Sequence, residues 1–167
     1  MSRDVLEFLI WQLDEAFERK PEHSLLANLS SVVADELDLL PPSGGRTVRD
    51  FVAHCASVKR MHANHAFGDR RLSWWTTWDG LRKMEEAGLE ELTEWLRRAH
   101  AEVIAGVTAL KDDAELRVLR PTHWGEERET RLLIDAIIMH DIYHAGEMNH
   151  LRSLLQNADH FPRGGTN

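Results

Sequence analysis

Cysteine is almost missing from this 167-residue chain. Cys55 stands alone, so neither an internal disulfide nor a thiolate zinc cluster can form, and a metal site would have to use nitrogen and oxygen ligands. Long apolar runs are missing too: no segment reaches the roughly 20 residues that cross a bilayer. Met1-Ser2-Arg3-Asp4 leads into amphipathic sequence instead of a secretion signal, so a cytoplasmic protein without membrane contact is expected. Basic charge is scarce and scattered. Lys plus Arg number 20 against 28 for Asp plus Glu, a formal net charge of -8, which argues against a phosphate-backbone binder and so against a nucleic-acid partner. Strand-period alternation of any length, internal repeats and low-complexity blocks are likewise absent.

What is present is helical periodicity. A content of 43% hydrophobic and 29% charged residues suits one globular domain, read here as 1–160 with a disordered tail at 161–167. Ser2 is placed to cap a first helix carrying Val5, Leu6, Leu9, Leu13, Ala16 and Phe17 at three- and four-residue steps, stopped by Pro21. Short helical turns fit 24–29 and 34–39, and Pro41-Pro42-Ser43-Gly44-Gly45 ends any helix there. Thr47 with Asp50 three residues on is a capping-box signature for a second helix to about Phe67. A third helix is expected over 81–111 with a break or kink at Gly88, and a fourth over 128–157. Four long amphipathic helices predict an all-α four-helix bundle, with connections long enough to cross it. Trp74-Trp75-Thr76-Thr77-Trp78 reads either as a hydrophobic plug or as a substrate wall.

The fourth helix carries the chemistry. At 100° per residue His140, His144, Glu147 and Leu151 share one face, interrupting a core stripe that Leu133 and Ala136 begin and Leu154 and Leu155 finish. Burying two imidazoles and a carboxyl costs roughly 1 to 3 kcal/mol each without partners, and a divalent cation would satisfy them together. A third ligand could come from His54, His62 or His65 on the second helix, His100, His123 or His23. His54 and His65 lie about 16 Å apart along a helix and cannot share an ion. Periodicity slightly favours His62, and spacing does not exclude it.

Gly45-Arg46-Thr47-Val48-Arg49-Asp50-Phe51-Val52-Ala53-His54, together with His140-Asp141-Ile142-Tyr143-His144-Ala145-Gly146-Glu147-Met148-Asn149-His150-Leu151-Arg152, resembles the DinB-like superfamily of bacterial helical bundles, also called DinB/YfiT-like. Pro41-Pro42 before the second helix and His123-Trp124-Gly125 before the fourth extend the likeness over most of the chain. The resemblance implies an up-down-down-up bundle with a divalent metal held by His54, His140 and His144. Many relatives carry Gln where this chain has Glu147, which leaves open whether Glu147 ligates, orients a water or only hydrogen-bonds.

Three neutral imidazoles leave a divalent ion charged and open on one side, the pattern of catalytic rather than structural zinc. Such an ion lowers the pKa of water to about 7 or deprotonates a thiol. Zinc or nickel is expected first, with iron and manganese also compatible. Relatives that the chain resembles include thiol-dependent transferases and isomerases using bacillithiol, mycothiol or glutathione. The leading expectation is therefore a metal-dependent S-transferase acting on a small molecule, with a low-molecular-weight thiol as cosubstrate. In that reading Glu147 handles protons, and Trp74, Trp75, Trp78 and Tyr143 wall the pocket. A metal-dependent hydrolase and a non-catalytic metal-binding stress or interaction bundle are the alternatives. A homodimer is expected from the way such bundles pair.

Overall fold

A computed structural model describes residues 2–42, 44–73 and 85–158. In chain order it contains α1 (Asp4–Asp14), which continues as a π-helical turn (Glu15–Arg19), then α2 (Leu25–Leu29) and a 3-10 turn (Ala34–Glu36). There follow α3 (Val48–Phe67), α4 (Leu89–Thr108), a second 3-10 turn (Asp113–Arg117), β1 (Leu119–Pro121), β2 (Glu127–Glu129) and α5 (Thr130–Gln156). Trp74, Trp75 and Trp78, the start of the expected third helix and the tail at 161–167 lie outside the described residues.

The helix directions follow from side-chain pairs. Arg49 reaches the Ala87 carbonyl, Arg60 meets Glu102, and Phe67 packs against Gly106, so α3 and α4 run parallel. Phe51 faces His144 while Arg120, just before α5, reaches the Ala66 carbonyl, so α5 runs against α3. Glu18 pairs with Arg97 and Arg3 with the Leu110 carbonyl, so α1 opposes α4. The result is the up-down-down-up order.

The α3 cap forms as its sequence predicts. Thr47 Oγ1 accepts from the Asp50 amide at 3.1 Å, and Asp50 Oδ2 accepts from the Thr47 amide at 2.9 Å. Ser2 falls short as a cap: Arg3 holds that position, and Asp113 accepts from the Leu6 amide at 2.9 Å across the fold. At Gly88 the expected break is present: Gly88 is the N-cap of α4, which starts at Leu89. α5 begins two residues later than expected, because 127–129 pairs with 119–121 as a small antiparallel ladder, Arg120 opposite Arg128. Three-residue strands are too short to show alternation. Among the described residues no helix is long and apolar enough to cross a membrane.

Two apolar clusters fill the bundle. One gathers Phe17, Phe51, Leu92, Leu96 and Met148, the other Leu6, Leu13, Val103, Ile134 and Ile137. On α3, α4 and α5 a buried polar layer, Lys59, His100 and Asp141, falls between the residues of the two clusters. Both Lys59 and Asp141 are fully buried, with Nζ 2.5 Å from Oδ2. His100 stacks on Phe17, accepts from Lys59 Nζ at Nδ1 (3.3 Å) and lies 3.3 Å from Asp14 at Nε2, which satisfies a neutral imidazole at both nitrogens.

Candidate metal centre

α3 and α5 meet where His54 lies one and a half turns into α3 and His140 and His144 lie one turn apart in the middle of α5. The antiparallel crossing brings the three rings together. His140 Nε2 is 3.2 Å from His54 Nε2 and 3.1 Å from His144 Nε2, and one nitrogen from each ring falls within 4.8 Å of the others. Donors held at 2.0–2.1 Å around a tetrahedral ion lie about 3.3 Å apart, which the two distances from His140 match, so the group could hold an ion.

Tautomers sharpen the fit. Glu147 Oε2 lies 2.6 Å from His144 Nδ1, and an ionised carboxylate only accepts, so Nδ1 carries the proton and Nε2 offers a lone pair to the centre. A single proton on His140 Nε2 could serve only one of its two neighbours. A cation at the centre satisfies all three lone pairs.

Electrostatics keep the rings neutral and ready to ligate. Burial, then the neighbouring His144 and Arg46, lowers the pKa of His54 to about 4. Burial followed by His144 and His54 lowers that of His140 to about 2. Burial also lowers His144, against the opposing pull of Glu147.

The remaining candidates fall elsewhere. His62 is buried about two turns beyond His54 on α3, edge-on to His123 and Trp124, and His65 Nε2 is 2.7 Å from the Leu72 carbonyl oxygen. His150 and His23 are exposed. Cys55 is core: burial pushes its thiol pKa far up.

Beside the rings opens a cavity of about 500 Å³. His54, His144 and Glu147 form one wall, and Phe51, Leu151 and Leu154 give it apolar surface. Leu154, expected to finish the core stripe, is largely exposed because it turns to this cavity. Tyr143 stands at the same cavity and donates its hydroxyl to Glu147 Oε1 at 3.1 Å. Both Glu147 oxygens are therefore engaged. Sequence reasoning missed Arg46, which also lines the cavity; as the last residue before the Thr47 cap it belongs to no periodic face.

A sequence model of the DinB superfamily matches residues 16–148, which span the first π-helical turn to the middle of α5 and include all three rings. The chain belongs to the DinB superfamily. Among solved structures, the crystal structure of a conserved protein from Enterococcus faecalis resembles this DinB-superfamily chain with a TM-score of 0.67 and 17% identity, covering 95% of this chain and 99% of that one. That likeness carries the fold alone. No curated protein matches.

Proposed function

We propose that His54, His140 and His144 hold a divalent metal ion, zinc or nickel first, and that the protein is a metal-dependent enzyme joining a low-molecular-weight thiol to a small electrophile. The observation that carries the reading is the convergence of three imidazole nitrogens beside an open cavity that His54 and His144 line. A divalent ion so held supplies Lewis acidity and lowers the pKa of a ligating thiol or water.

The chain's own groups do the rest. Glu147 fixes the tautomer and ring plane of His144 through Nδ1, as carboxylate partners of metal-bound histidines do. Tyr143 holds the second Glu147 oxygen, and the pair offers a proton path at the cavity mouth. Phe51, Leu151 and Leu154 exclude water from one side of the reacting groups. Hydrolysis, in which Glu147 would take a proton from water, is the second reading, and turnover of an ester or amide without added thiol would favour it.

Exposed Val5 and Phe8 on α1, and Met139 and Ile142 on α5, support a homodimer, which light scattering of a Met139→Glu variant tests. For the reaction itself, metal-loaded protein is screened with bacillithiol, mycothiol and glutathione against a model electrophile. Turnover that His140→Ala abolishes is expected. No turnover with any thiol in the loaded protein would refute the transferase reading.

A further inference from the structure

The bundle's arginines are mostly spoken for. Arg49, three residues beyond Arg46, shows the usual pattern, with Nε and Nη2 on Asp38 at 2.6 and 2.9 Å and Nη1 on the Ala87 carbonyl. Arg46 differs. It lines the cavity beside the three rings, its guanidinium sits over the Phe51 ring at 5.8 Å from the centroid, and among the described residues no carboxylate lies within ion-pair distance of it.

The backbone before it is arranged for this. Gly44 and Gly45 have φ of +74° and +123°, the second a value that only glycine adopts without strain. The Gly44 amide donates to the Pro41 carbonyl at 2.9 Å, closing a tight turn. Pro41, Gly44, Gly45 and Arg46 all line the cavity, and Arg46 stands immediately ahead of the fixed Thr47 cap. Phe51 links the two ends of the cavity, with Arg46 over its ring and its edge against His144 at 6.0 Å between centroids.

The cavity thus has a donor-rich end at the histidines, an apolar middle at Phe51, Leu151 and Leu154, and a guanidinium at the far rim. Glu147, the one carboxylate among the described lining residues, bonds to His144 and Tyr143. We infer that the ligand of this cavity carries a carboxylate, bound by Arg46, several bonds away from the head group that faces the three histidines. The guanidinium matches a carboxylate in shape and charge, and the apolar middle matches a short hydrocarbon spacer. This inference rests on the proposed metal centre.

The test uses zinc-loaded protein and ω-mercapto acids of three to six carbons, each beside its primary amide, with binding followed by calorimetry. Wild type is expected to bind the best-fitting acid about tenfold more tightly than its amide. Arg46→Gln, at an exposed position outside the helix, should bring acid and amide level in a protein that still retains zinc. An acid-to-amide ratio identical in wild type and Arg46→Gln at every chain length overturns the carboxylate assignment and leaves the metal centre standing. Failure of the protein to retain zinc overturns the metal centre itself, and this inference with it.

Discussion

Replacing Lys59 by Met would break a fully buried ion pair. Lys59 Nζ and Asp141 Oδ2 form an ion pair with both side chains fully buried, and among the described residues Asp141 Oδ1 has no hydrogen-bond partner. Removing one partner of a buried pair typically costs about 3 to 5 kcal/mol, because the other charge is left in a poorly polarisable interior. For a chain of this length that corresponds to a fall in Tm of roughly 10 °C. Lys59→Met/Asp141→Leu, which removes both charges and keeps the volume apolar, should regain most of the loss. Burial already raises the Asp141 pKa, against the pull of Lys59, and losing Lys59 raises it further. A carboxyl whose folded pKa exceeds its unfolded one favours folding below the unfolded value and loses that contribution as pH rises. The penalty of Lys59→Met should therefore shrink as pH falls from 8 towards 4. Urea unfolding of chelator-treated wild type, both single variants and the double variant measures the cycle. A loss below about 1 kcal/mol for Lys59→Met, or a double variant no more stable than the single, would refute the reasoning.

Two further outcomes follow from the same geometry. Glu147→Ala frees His144 Nδ1 and should weaken metal affinity about 10- to 100-fold while leaving the metal-free protein folded, as competition with a chromophoric chelator reads out; unchanged affinity would remove Glu147 from the site. Burial lowers the pKa of His62 to about 4 and that of His100 to about 2, whereas both titrate near 6.5 when unfolded. Their stabilising effect is therefore present above pH 6.5 and is lost as pH falls, at up to about 1.4 kcal/mol per unit for each; with the likewise lowered His54 and His140 adding to it, metal-free protein should lose at least about 3 kcal/mol between pH 6.5 and 5 in denaturant titrations, and a flat profile would contradict the neutral burial of these rings.

The parts of the fold written in local sequence were legible. The Thr47/Asp50 box and the stripes of α3 and α5 depend on neighbours within four residues, and the structure reproduces them. His140 and His144 could be paired for the same reason. His54 could not be chosen over His62 by spacing, since the choice depends on how far α5 slides along α3; resemblance pointed to it, and the crossing places it 3.2 Å from His140. The Lys59–Asp141 pair spans 82 residues and left no periodic trace. Asp141, one position after His140, is core. The short ladder of β1 and β2 escaped notice because its pairing is fixed by a turn, not by alternation.

The central claim is that His54 joins His140 and His144 around one ion. Elemental analysis of untagged protein, purified without chelator, measures it directly across wild type, His54→Ala and His62→Ala. One divalent ion per chain is expected in wild type and in His62→Ala, and none in His54→Ala. Metal-free wild type after exposure to zinc and nickel, or retention of the ion by His54→Ala with loss from His62→Ala, would contradict the account.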